Sequence, residues 1–463
     1  MLLGPLFVCI IFGVFYHMGR VLERFGFYKW IMRILCIGHF LFLVFAIYHY
    51  WFKTGWDAAI VTWSAKAIAT EDWNSVGHEY MSIYPNNVLL ACIEAFAIKI
   101  GSVIGINYYL SMIIQQCAIF ALVGYILFLA LDEICGTRTA VGGYGLYMLF
   151  VGLSPWVVVP YSDGLGILLP VIMFYVFCMA KYEKWQTVAC VTLPFLTYIG
   201  YKLKPQIAIM GVAVIMALVL RMWEQGSWKG PWLKRIAYMG SGLMVAILVN
   251  FACLSISHVE IDPQKHIGGI SHYFMMGLSS RTGGVCDPDD IAFSLSFDNL
   301  EERKSANWQR AAERMEEMGA LGLLQFWNKK VAMTYSDGTL GWWGEGSFYQ
   351  EEQYTGNQRV RSFFTDLYYK GGNAYKYYVE AMQYLWIGML VISLGVICKG
   401  RDVPVYQNAL ILSIIGLTLF EMLFEARSRY LFTYAPIFVI LASVGLQCIA
   451  DFWKRRTGGR DAR

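Results

Sequence analysis

The run Met32–Trp51, MRILCIGHFLFLVFAIYHYW, is 20 residues long and holds a single formal charge, Arg33. At about 1.5 Å per helical residue it reaches about 30 Å, the thickness of the hydrocarbon core of a bilayer. One such run would fit a buried core helix, but similar runs recur at about 2–16, 107–131, 140–158, 164–180, 187–201, 206–222, 236–254, 378–398, 406–424 and 430–449. Hydrophobic residues make up 57% of the 463 positions and charged residues 15%, against about a quarter charged in water-soluble domains. The sequence therefore predicts an all-α polytopic membrane protein of about 10–11 transmembrane helices.

Basic residues orient the spans. Arg20–Arg33, Arg138, Lys181–Lys184, Lys229–Arg235, Lys399–Arg401 and Lys454–Arg456 flank them and predict cytoplasmic loops. Alternation then places 52–106, 159–163, 202–205, 255–377 and 425–429 outside, provided the weaker run 88–104, with Glu94 and Lys99, does not cross. That run reads as a helix in the outer interface. So does 57–70, where Ile60, Val61, Ser64, Ala65 and Ile68 recur at helical spacing with Asp57, Thr62 and Lys66 elsewhere on the wheel. Residues 1–16 lack a basic leader and a small-residue cleavage site, which predicts a short extra span rather than a signal peptide. Three blocks follow: 1–254, an N-terminal transmembrane module with outer juxtamembrane helices in 52–106; 255–377, an extracytoplasmic cap with a helix over 299–331; and 378–463, C-terminal transmembrane helices and a basic cytoplasmic tail. The net charge of +4 gives no reason to expect a nucleic-acid partner. Most of the eleven cysteines lie in apolar runs and behave as small hydrophobes. There is no CxxC or Cys/His cluster for structural zinc, and Cys286 in the cap is expected to be unpaired.

A few polar residues at the outer ends of spans have chemical potential. Asp57 follows Gly55-Trp56 at the head of an interfacial helix, suited either to capping that helix or to taking a proton from an acceptor hydroxyl. Asp163, in Pro160-Tyr161-Ser162-Asp163-Gly164, stands at a second span end. If the two acids share a cavity, one suits a general base and the other suits orienting an acceptor or holding a cation. A divalent cation is thus the one candidate cofactor, with no third ligand identified. Lys204, in Tyr201-Lys202-Leu203-Lys204-Pro205, and Arg427 and Arg429, in Glu425-Ala426-Arg427-Ser428-Arg429-Tyr430, are basic on the side where positive charge is disfavoured. Lys204 suits lipid-headgroup snorkelling or phosphate binding, and the arginines suit bidentate phosphate capture or a salt bridge to Glu425 or Glu421. Glu79, Tyr84, His272 and Tyr430 complete a candidate acceptor or sugar pocket beside His78. Trp342-Trp343 suits either sugar stacking or membrane anchoring.

Taken in order, Asp57 to Ala69, Tyr84-Pro85, Ser162-Asp163-Gly164, Lys204-Pro205 and the Glu425–Tyr430 segment form a pattern that resembles the GT-C superfamily of integral membrane glycosyltransferases. The likeness is to the protein O-mannosyltransferase and aminoarabinose-transferase (family-39-like) branch, and especially to multispan enzymes of Gram-positive bacteria. It extends over about 32–450. It implies a GT-C-like bundle in the plasma membrane with its active site facing outward, a polyprenyl-phosphate-sugar donor, and an inverting transfer to a cell-envelope acceptor (protein, polymer or glycolipid). It also implies Asp57 as catalytic base, Asp163 in the acceptor cavity, and outer Lys and Arg on the lipid phosphate. The chain departs from that pattern at Tyr84-Pro85-Asn86-Asn87, where relatives have Tyr-Pro-His-Gln or His-Pro-Pro, and in the extra span 2–16.

The chemistry is self-consistent. A lipid-linked sugar phosphate is already activated, and no P-loop or dinucleotide motif is present. The main alternative is a multispan transporter or lipid flippase, which would show paired or broken repeats that are not evident here. A non-catalytic envelope scaffold is the third.

Overall fold

A computed structural model describes residues 3–224, 232–346, 351–353, 355–400 and 403–458. Lys229 and Arg401, among the basic flanks, lie outside the described residues. The chain begins with α1 (Leu3–Leu22) and α2 (Tyr28–Tyr50), then a two-residue strand β1 (Phe52–Lys53). Next come α3 (Trp56–Thr70), α4 (His78–Ile83), α5 (Asn87–Val103), α6 (Tyr108–Cys135) and α7 (Thr137–Tyr147). After irregular turns follow α8 (Ser162–Gly166), α9 (Leu168–Met179), α10 (Glu183–Leu203), α11 (Ala208–Glu224) and α12 (Trp232–Ser257). The cap carries α13 (Ile270–Gly277), α14 (Pro288–Leu295), α15 (Leu300–Tyr335), β2 (Glu351–Glu352) and α16 (Gln358–Tyr368). The chain then closes with α17 (Tyr375–Ser393), α18 (Val405–Leu423) and α19 (Ala435–Gly458).

Among the described residues, eight helical stretches are long and apolar enough to cross a membrane: Leu3–Leu22, Tyr28–Tyr50, Tyr108–Cys135, Ser162–Met179, Leu233–Ser257, Tyr375–Lys399, Val405–Leu423 and Ser428–Thr457. The protein is an all-α polytopic membrane protein. The run 187–201 forms α10, and 206–222 forms a shorter apolar helix. The run 140–158 is not one straight helix: after α7 it passes through a wide turn at Met148–Gly152 and a tight one at Pro155–Val158. α5, the run 88–104, is not among the candidate spans. It packs on α3 and α6, with Lys99 3.4 Å from Glu71. α1 packs on α7 and α17. Only 11% of the apolar window of α12 is buried; leaning on α10, it turns Met244, Leu248 and Phe251 outward as a lipid-facing helix would.

The cap helices start as helices in water do. Asp287, Asn299 and Asn357 accept hydrogen bonds from the first free N–H groups of α14, α15 and α16. The cap has a small core of its own around Met275, Leu278 and Ala311. It is not detached, however. β2 pairs antiparallel with β1, Phe52 opposite Glu352, α16 packs on α2, and Phe364 and Tyr368 belong to the main core. α15 extends past the expected 331 to Tyr335 and breaks its helical backbone at Gly319. All eleven cysteines are free.

Candidate functional site

Four chain segments deliver charged side chains to one place at the mouth of the bundle. Asp163 is the second residue of α8, carried there by the turn 155–161. Gln116 on α6 fixes that turn, its amide donating to the carbonyls of Trp156 (3.0 Å), Val157 (3.0 Å) and Val159 (2.7 Å). Gly164 makes this approach feasible, because a Cβ there would lie 2.4 Å from the Gln116 side chain. Lys204 ends α10, donates to Asp163, and lies 4.2 Å above the Tyr430 ring. Arg427 and Arg429 flank Ser428 in the turn before α19. Their guanidinium NH1 atoms stand 3.2 and 3.1 Å from the two carboxylate oxygens of Glu345. Arg429 Nε is 3.6 Å from Asp163, and Arg427 Nε is 3.6 Å from Glu425.

The arginine turn is pinned from three sides. Lys330 of α15 donates to the carbonyls of Gly277 (2.7 Å), Met422 (3.2 Å) and Phe424. The Ala426 N–H bonds to the Gly284 carbonyl at 3.0 Å, and Gln206 donates to the Tyr430 carbonyl at 2.6 Å. Gly341, with φ of 88°, lets the helical turn Trp342–Gly346 that carries Glu345 start against the Arg429 backbone.

Asp57 approaches from the other wall. Trp56 begins α3 at φ 45°, a left-handed conformation that costs a bulky residue about 1–2 kcal/mol. That turn sets the indole edge-on to Tyr161 (4.9 Å) and beneath the Arg429 guanidinium (4.6 Å). Asp57 does not cap the helix; the cap position is Gly55 and no side-chain bond closes it. The residue is instead solvent-exposed. Tyr80, Tyr84, Tyr161 and Tyr273 all lie within its electrostatic reach. The surrounding protein pushes its carboxyl above the usual range, while Arg429, a hydrogen bond from Tyr80 and Arg427 pull the other way. The Tyr80 hydroxyl in turn accepts from Asn87 at 2.9 Å, which gives the departing Asn-Asn pair a use. Cys286 is near the same charges, its thiol pushed up to about 11 by burial.

The geometry thus brings together Asp57, Asp163, Lys204, Arg427, Arg429, Tyr84 and Tyr430. Other expectations are corrected. His272 does not line the recess. It is 1% exposed, bonded through Nδ1 to Ser294 at 2.7 Å, and Ser294 bonds Asn307. Burial lowers its pKa to about 4, so it is a neutral residue of the cap core. Its neighbour Tyr273 faces the acids instead. Glu79 points to solvent and pairs loosely with Lys265 at 3.6 Å, while Tyr80 beside it holds Asp57. His78 ties Trp73 and Glu260 together. Trp342 neither anchors nor stacks on a ligand: it is fully buried and donates to the Tyr368 carbonyl. Thr62 belongs to the buried face of α3. Lys204 is already engaged by Asp163, so its charge is spent inside the protein. Among the described residues no three His, Cys, Asp or Glu side chains converge as a cation site.

Glu345, Tyr80, Tyr273 and Lys330 escaped the sequence reading. A carboxylate in the glycine-flanked Gly341-Trp342-Trp343-Gly344-Glu345-Gly346 was the one available signal.

A family model described as "Conserved hypothetical integral membrane protein" matches residues 1–448, and the chain belongs to that family. No curated protein matches it.

Proposed function

We propose that this chain is a membrane glycosyltransferase of GT-C type that moves a sugar, with inversion, from a polyprenyl-phosphate donor to an extracytoplasmic acceptor. The observation that carries the reading is an exposed carboxylate, Asp57, whose neighbour Trp56 lies 4.6 Å from the Arg429 guanidinium, with Arg427 sharing Glu345 beside it. In the proposed step Asp57 takes the acceptor hydroxyl proton as that oxygen attacks the anomeric carbon. The bond from that carbon to the phosphate oxygen breaks, and the electron pair leaves with the polyprenyl phosphate. Arg427 and Arg429 meet the charge that develops on this leaving group.

Environment divides the roles of the two acids. Asp163 has a 3% exposed side chain and is held by Lys204 and Arg429, so it aligns the arginine. Asp57 is the acid that solvent and substrate can reach. The tyrosines offer hydroxyls and ring faces to a sugar.

Purified Asp57→Asn and Arg429→Ala chains, given polyprenyl-phosphate sugars and envelope-derived acceptors, test the reading. Sugar transfer by the unaltered chain and its loss in folded variants is the expected result; full transfer by folded Asp57→Asn removes the base. Substrate movement across vesicles without sugar release would favour the transporter alternative.

A further inference from the structure

The ion-paired network at the site contains, among the described residues, three cations (Lys204, Arg427, Arg429) and three carboxylates (Asp163, Glu345, Glu425). It is already neutral. A phosphate entering between the arginines would add negative charge to a set with no cation to spare, unless a carboxylate leaves. The three carboxylates are unequally placed. Asp163 is at 3% exposure and gripped by Lys204, and Glu425 is at 13%. Glu345 is at 20%, belongs to the cap, and follows a turn with positive φ at Leu340 and Gly341. Its two oxygens are shared one to each arginine, at 3.2 and 3.1 Å, as two oxygens of a phosphate would be. Arg427 Nε and Arg429 Nε stand 3.6 Å from Glu425 and Asp163 without a hydrogen bond, and the Glu345 oxygen nearest Arg429 also makes none. The grip of Glu345 on the pair is thus loose, and a tetrahedral anion with more oxygens could satisfy the arginines more fully.

We propose that Glu345 is an internal stand-in for phosphate, occupying the Arg427–Arg429 seat until a lipid-borne phosphate displaces it. The inference rests on the glycosyltransferase reading only for the kind of ligand. A displaceable carboxylate sets the affinity of the seat. It also competes with the spent polyprenyl phosphate, whose monoester carries more charge than the diester donor.

The test is binding of geranylgeranyl phosphate, geranylgeraniol and inorganic phosphate to the purified full chain in detergent. Glu345→Gln should bind geranylgeranyl phosphate about tenfold more tightly than the unaltered chain, the effect of removing one charge-assisted competitor, and geranylgeraniol equally in both. Adding Arg427→Gln should abolish the gain. Unchanged or weaker binding in Glu345→Gln would overturn the proposal and make Glu345 a fixed clip that shapes the arginines. If that variant does not fold, Glu345→Asp, with its shorter reach, carries the same sign: tighter supports, equal or weaker overturns. A gain confined to geranylgeranyl phosphate supports a lipid headgroup as ligand, and an equal gain with inorganic phosphate supports the seat with a free anion. Loss of sugar transfer with this binding pattern intact would sink the glycosyltransferase reading alone; transfer without any Glu345 dependence would sink this inference alone.

Discussion

Asp57 and Asp163 are the same residue type at the same end of the bundle, and their surroundings give them opposite characters. Asp163 is buried behind Tyr161, bonded to Lys204 and faced by Arg429. Asp57 is open to solvent, touched by a single tyrosine hydroxyl and feeling the arginines from a distance. A buried acid gripped by two cations is held in place, and its work is structural. An open acid crowded by protein but unpaired keeps a proton within reach. The contrast shows that the number and nearness of cations, more than position along the chain, divides a scaffold carboxylate from one available for chemistry.

The contrast can be broken at its strongest point first. Asp57→Asn should lower transfer by about 10²–10⁴-fold, the usual worth of a positioned base, with the unfolding midpoint unchanged. A stability loss instead would make Asp57 the structural acid. Lys204→Met should do the reverse, leaving Asp163 as a buried, half-compensated charge and destabilising the fold by about 3–5 kcal/mol in detergent unfolding. A midpoint equal to that of the unaltered chain would show that Arg429 alone suffices.

pH sharpens the comparison further. Because crowding by the surrounding protein places the Asp57 carboxyl above its unfolded value, ionising it works against folding, so that small contribution is lost as pH rises through the folded value. The acid limb of the pH–rate profile should accordingly sit above that of an ordinary aspartate. His272 supplies a control away from the acids: neutral in the fold down to about 4 against 6.5 for the free side chain, it should make the cap lose stability as pH falls through that window. Hydrogen exchange in α13 to α15 reads this, and His272→Gln should flatten it. The smallest expected effect is that of Tyr80→Phe. Removing the hydrogen bond that pulls the Asp57 carboxyl down should move the acid limb of the rate profile to higher pH, and an unmoved limb would detach Tyr80 from the acid.

Much of this was legible along the chain. The spans follow from length and apolarity, which a bilayer reads almost directly. Asp57, Asp163, Lys204 and the arginines stood out because charge at the outer end of a span calls for a reason. Two of the errors share one origin. The sequence marks Glu79 where Tyr80 bonds the acid, and His272 where Tyr273 lies nearer to it. In a helix adjacent residues point about 100° apart, so a motif read one position off lands on another face, and in α4 and α13, at 6 and 8 residues, no long periodic pattern fixes which face turns inward. Lys330 had no local signal, and Glu345 only its glycine-flanked setting. Arg427 lies 82 positions from Glu345, and Met422 and Phe424 lie 92 and 94 from Lys330, so these pairs meet only through the docking of the cap.

The ammonium of Lys330 holds carbonyls from α13 and from the end of α18 at once. A chimera that swaps or trims residues 255–377 would take away that tether and free the turn carrying Arg427 from its neighbour. The cap is therefore a working part of the bundle's mouth, and grafting it between relatives should succeed only when the lysine and its acceptors travel together.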